Sequence, residues 1–182
     1  MIMHKEIMKK VRFFRNKPPH FIAFIGPLLR PLRVEGGHFV FKEGDPIEHI
    51  FFLIKGDAAY VNIHINKEQP MIYMKINPGY NFGEIDFVYS KYKNLYENHG
   101  GNQFVGDAQA DLGIPQSDGP MRRAFTVQAI LPGACDILTI SKADLQKVEA
   151  DFEDMVSELF LDSYKKIRKM LQIKEQKENS YL

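Results

Sequence analysis

The sequence predicts an α+β domain: an antiparallel β-roll or jelly-roll barrel flanked by N-terminal helices and by two C-terminal helices. Three observations carry this. Apolar residues recur at helical spacing at both ends of the 182-residue chain. Between them lie short runs rich in Ile, Val, Phe and Tyr, the residues that suit a pleated, half-buried surface. Those runs are punctuated regularly by "EGG", "KEGDP", "KGD", "NKEQP" and "NPG", turn chemistry at the spacing of many short strands.

The elements follow in order. In residues 1–31, Ile7, Val11 and Phe14 recur at helical spacing, with Lys5, Lys9, Lys10, Arg12, Arg15 and Lys17 on the remaining faces. Pro18 and Pro19 break that helix. "FIAFIGPLL" then reads as a short buried helix ending near Gly26-Pro27, with Pro31 closing the segment. Residues 32–140 form the roll, with strands expected at 38–41, 49–54, 58–65, 71–76, 124–130 and 136–140. Val61, Ile63 and Ile65 alternate with Tyr60, Asn62 and His64, the period of a strand with one buried face.

Residues 89–120 interrupt the roll with glycines, scattered acids and little periodicity, the mark of an insertion. Within it "SKYKNLYE" would add a helical turn or two. Residues 141–174 are helical again, opened by a capping box of Ser141 and Asp144. Val156, Leu159, Phe160, Ser163, Tyr164, Ile167 and Leu171 trace one face of a long amphipathic helix. Asp151, Glu153 and Asp154 stand near its start, and Lys165, Lys166, Arg168 and Lys169 towards its end, complementing the helix dipole. Residues 175–182 read as a frayed polar tail.

Composition excludes several functions. A net charge of +1 gives no global field for nucleic acid. One cysteine, Cys135, allows no intrachain disulfide and fits a reducing compartment. No apolar run approaches bilayer length, and the start lacks the apolar core of a secretory signal. The expectation is a cytosolic chain, or a cytosolic piece of something larger. His4, His20, His38, His49, His64 and His99 are scattered without H-x-H spacing, which argues against a jelly-roll metal enzyme. No nucleophile stands at motif spacing from a base. Neither catalysis, a metal nor a bound cofactor is expected.

"FGEIDFV" and "RRAFTVQAI", preceded by "HFVFKEGDPIEHIFFLIKGDAAYV", resemble the two halves of the phosphate-binding cassette and the hairpins of the cyclic nucleotide-binding domain family. The match covers nearly the whole chain. The flanks "VRFFRNKPPHFIAFIGPLLRPL" and "CDILTISKADLQKV" are most similar to the cytosolic domain of voltage-gated potassium channels of the ciliate type. The resemblance implies a non-catalytic regulatory domain of a homotetrameric channel, coupling ligand or subunit contacts to gating. Its partners would be the other subunits, through residues 1–32 in particular, and it would meet the membrane only through the parent channel.

The resemblance also implies a site. Phe82, Gly83, Glu84, Ile85, Asp86, Arg123, Ala124 and Thr126 would line it, with Arg123 on the phosphate and Glu84 on the ribose 2′-hydroxyl. Leu159, Phe160, Tyr164 and Ile167 would form a lid over the base. The physics is independent of the family: a cyclic phosphate needs backbone N–H donors plus a cation, and a guanidinium fork takes two phosphate oxygens. Ala124 lacks the hydroxyl found in cGMP-preferring members, so cAMP is expected ahead of cGMP.

Three departures bear on whether the cradle holds an anion. Asp86 stands where the family has a small residue, and its charge would repel a phosphate by about 1 kcal/mol in water and several-fold more in a partly dry pocket. Phe125 would partly fill the cradle. The insertion sets Glu84 and Arg123 39 positions apart. Among other classes, a kinase regulatory subunit is expected to carry two such rolls. A nucleotide-controlled transcription factor needs a DNA-reading helix beyond "LQIKEQKENSYL".

Overall fold

The computed structural model describes residues 2–64, 69–89, 92 and 121–180. Among the described residues, eight strands form two antiparallel sheets. One has the order β1 (Arg30–Val34), β8 (Cys135–Ser141), β3 (His49–Lys55), β6 (Asn81–Phe82). The other runs β2 (Phe39–Phe41), β7 (Thr126–Ala129), β4 (Ala58–Asn62), β5 (Met71–Ile76). Phe52 and Ile137 from the first sheet and Tyr60 and Val127 from the second belong to one buried cluster, so the sheets close on a common core.

Two strands escape the sequence pattern. Pro31 lies inside β1, paired with Leu138, where a helical segment was expected to close. Proline is tolerated there because β1 is the sheet's edge strand and needs no second ladder. β6 is two residues long, too short to show any period. The alternation expected of Tyr60 to Ile65 fails as well. Ala58 to Asn62 are all buried, since β4 runs between β7 and β5 and is covered on both faces. Residues 65–68 lie outside the described residues.

The N-terminal helix does not continue to Pro18. Helix α1 (Ile2–Met8) stops, and a 3₁₀ turn covers Arg12–Phe14. The Arg12 amide leaves the helical ladder to donate to the Gly79 carbonyl at 2.9 Å, which ties this segment to the β5–β6 turn. Met8, Val11 and Phe14 are buried, and the Phe14 ring lies 4.9 Å from that of Phe52. Helix α2 (Pro19–Ile25) starts with proline at its first position, where no N–H is needed, and buries Phe21 and Ile25.

A helical turn, α3, occupies residues 85–89 after β6. Apart from Tyr89 and the helical Tyr92, the expected insertion and its "SKYKNLYE" turn lie outside the described residues. The C-terminal region holds three helices rather than two: α4 (Lys142–Asp151), α5 (Glu153–Leu161) and α6 (Ser163–Ser180). The Ser141 hydroxyl accepts from the Asp144 amide at 3.1 Å and caps α4. The single long helix expected after Val156 breaks at Asp162, which lets Ser163 and Tyr164 turn inward. Helix α6 runs through most of the expected polar tail. No helix among the described residues is long and apolar enough to cross a membrane.

Candidate functional site

The site forms where β6 ends. The Phe82 ring stacks on Phe51 at 5.1 Å, and the chain then turns through Gly83 at φ +85. A β-carbon there would lie 2.9 Å from the Phe51 ring and 3.2 Å from the Arg123 guanidinium, so both the dihedral and the space require glycine. The Gly83 amide donates to the Tyr60 hydroxyl at 3.0 Å. Burial pushes the Tyr60 phenol well above its ordinary range, with the charges of Glu84 and Asp86 adding to the effect.

Arg123 reaches this turn from the far side of the insertion. Its amide donates to the Asp45 carbonyl at 2.8 Å and its carbonyl accepts from the Gly44 amide at 2.9 Å, which fixes its backbone on the Gly44 turn. Nη1 donates to the Gly83 carbonyl at 2.7 Å and to Asp86 Oδ2 at 3.0 Å. Nη2 donates to the His49 carbonyl at 2.6 Å. The guanidinium lies 4.0 Å from the centre of the Phe41 ring, a cation–π contact. Both partners of the ion pair are closed off: side-chain exposure is 2% for Arg123 and 0% for Asp86.

The second oxygen of Asp86 is equally engaged. Oδ1 accepts from the amides of Ala124 at 2.8 Å and Phe125 at 3.2 Å. One cation and two consecutive backbone N–H groups therefore converge on a single carboxylate, the donor set of an oxyanion site. Desolvation raises the Asp86 pKa to about 6, and Arg123 and the two amides hold it from going higher.

The two distant fragments thus meet, but not with the roles expected of every residue. Gly83, Asp86, Arg123 and Ala124 come together. Asp86 is not left as an unpaired charge: Oδ2 accepts from Arg123, and Oδ1 accepts from the amides of Ala124 and Phe125. Glu84 is buried, and its Oε1 accepts from Lys166 Nζ at 2.6 Å, so the oxygen assigned to a ribose is already used. Its Oε2 has no partner among the described residues. Phe82 and Ile85 sit in the core, and the Thr126 hydroxyl accepts from the Glu43 amide at 3.0 Å rather than facing the cradle. Phe125 is buried edge-on to Tyr60 and Tyr89. The lid residues Leu159, Phe160, Tyr164 and Ile167 are buried in the core cluster, with the Phe160 ring 6.1 Å from Phe87.

Sequence reasoning missed Tyr60, Lys166 and the two phenylalanines beneath Arg123. One signal was available: an acid inside the apolar run "EIDFVY" has to find a partner. Beside the cassette, a cleft of about 300 Å³ is lined by Tyr60, Met74, Ile76, Tyr80, Lys166 and Lys169 among others. No group of three or more potential metal ligands is gathered among the described residues.

This arrangement can be set beside solved structures. A putative cyclic nucleotide-binding protein from Geobacter metallireducens superposes with a TM-score of 0.57 at 13% identity, over 90% of this chain and 93% of that one. The regulatory domain of Toxoplasma gondii PKA in complex with cAMP gives a TM-score of 0.57 at 15% identity. That match covers 86% of this chain and 48% of the Toxoplasma regulatory-domain chain. The fold is that of a cyclic nucleotide-binding domain. No family model matches the sequence, and no curated protein does. At these identities the likeness speaks for the cyclic nucleotide-binding fold, and the residues of the cassette have to speak for themselves.

Proposed function

We propose that this chain is a non-catalytic regulatory domain of the binding-homology kind. In this reading it relays the state of its cassette to its C-terminal helix instead of reporting free nucleotide. The observation that carries the reading is the Lys166–Glu84 contact at 2.6 Å, with Glu84 buried, which ties α6 to the residue next to Gly83. A change at the cassette turn has a direct mechanical route to α6, and α6 in turn packs on β5. A relay needs such a two-ended element, biased from either side.

The parent protein is a potassium channel subunit in this proposal, because the flanks of the roll resemble that class. The domain would hang on the cytoplasmic side of the membrane and meet the other subunits of a homotetramer. A kinase regulatory subunit is the second reading, favoured by the likeness to the Toxoplasma domain. Of the nucleotides, cAMP would suit the cradle better than cGMP, since Ala124 offers no hydroxyl. Either one has to displace Asp86 first.

Two measurements test the relay. Calorimetric titration of the chain with cAMP and with cGMP is expected to give no binding below millimolar concentration. Micromolar binding would refute the homology reading. Lys166→Met keeps the aliphatic stem and removes the charge, so amide exchange along α6 should accelerate while β3 and β8 stay protected. Unchanged exchange in α6 would remove the relay.

A further inference from the structure

We propose that Asp86 is the cassette's own ligand: a tethered carboxylate seated in a small-oxyanion site built from the Arg123 guanidinium and the amides of Ala124 and Phe125. Vacating it would leave a working site for a free carboxylate or phosphate. The inference rests on the regulatory reading above and deepens it. In the wild-type chain the site is permanently occupied, and the relay to α6 is held in its occupied state.

The geometry carries the argument. Both Asp86 oxygens are used, Oδ2 by Arg123 at 3.0 Å and Oδ1 by two consecutive amides at 2.8 and 3.2 Å. Such a division of acceptors is what a free oxyanion offers a cation and a pair of N–H groups. The donors are held by contacts that do not involve Asp86. Arg123 is fixed through the carbonyls of Gly83 and His49 and over the Phe41 ring, and its backbone through Asp45 and Gly44. They would therefore stay in place when the carboxylate is removed. Burial on both sides keeps solution anions from competing while the tether is present, because the effective concentration of an attached group exceeds that of any buffer ion.

The test is chemical rescue. Asp86→Ala deletes a carboxylate, and formate is that carboxylate as a free ion. Thermal unfolding of wild type, Asp86→Ala and the Asp86→Ala/Arg123→Met double variant is followed in formate, in phosphate and in chloride at matched ionic strength. Asp86→Ala should melt lower than wild type in chloride. It should recover by a saturable rise of about 3 °C or more in formate or phosphate. Wild type and the double variant should show only the small, non-saturating rise of a general salt effect. Where Asp86→Ala does not stay folded, its refolding yield with and without formate reads the same result.

The inference is overturned if Asp86→Ala responds to neither anion beyond wild type, or if the double variant responds as strongly as the single one. Its failure is separable from failure of the relay. Absent rescue together with faster α6 exchange in Lys166→Met would leave the relay standing and Asp86 a structural ion-pair partner.

Discussion

Replacing Arg123 by methionine isolates the physics of the cassette. The change removes the cation facing Asp86, whose side chain is fully buried, and leaves a carboxylate held only by two amides. Breaking a buried pair from one side typically costs 3–5 kcal/mol, because the remaining charge stays desolvated. The Gly83 and His49 carbonyls also lose a charged donor. Methionine offsets part of this by filling the space over Phe41 with a sulfur–aromatic contact of about 1 kcal/mol. The balance is a loss of about 4 kcal/mol at pH 7.5, a large share of the 5–15 kcal/mol typical of a domain. Urea unfolding followed by circular dichroism should show the midpoint falling by about 2 M with an unchanged slope.

The same substitution carries an internal control. Arg123 lowers the Asp86 pKa, so its removal raises that pKa above the wild-type value of about 6. At pH 5 the carboxyl is then protonated in both proteins, no buried charge is stranded, and the gap should narrow by up to about 2 kcal/mol, to about half. Asp86→Asn added to Arg123→Met should recover most of the loss at pH 7.5, since the amide oxygen still accepts from Ala124 and Phe125. A single variant within about 1 kcal/mol of wild type, or a gap independent of pH, would refute the reasoning.

Two further outcomes follow from the same site. The Asp86 carboxyl ionises at 3.8 in its ordinary environment and at about 6 in the fold. Between those values the folded chain binds more protons than the unfolded one, so this group's contribution to stability is full below 3.8 and is lost as pH rises through 6, by about 3 kcal/mol in all. The stability difference between wild type and Asp86→Asn, measured from pH 3.5 to pH 7.5, should decline over that window and be flat on either side. Gly83→Ala meets both a left-handed φ and the Phe51 ring, and should cost about 2–4 kcal/mol by urea unfolding while leaving α4 and α5 intact. A loss under 1 kcal/mol would show that the turn can relax without its neighbours.

What the sequence made legible was local, and what it hid was relational. Ser141 and Asp144 announce a helix start because a cap is satisfied within four residues. Lys166 gives no sign of meeting Glu84, because the pair is brought together by the roll and the break at Asp162, neither of which a helical period records. β1 stayed hidden because an edge strand with Pro31 and four exposed positions lacks both alternation and a β-rich composition. Asp86 is the sharper case. Its charge and its place two residues past Glu84 are plain in the sequence, and Coulomb's law makes that charge a repelling one wherever the hollow beside it is empty. A carboxylate near a cationic hollow repels an incoming phosphate only if it remains outside. Once it can reach the guanidinium, that attraction is the larger energy, and the residue becomes the occupant. Charge and spacing could not decide between these two roles. The seating of one oxygen 3.0 Å from Nη1 and the other 2.8 Å from an amide is the observation that favours the second.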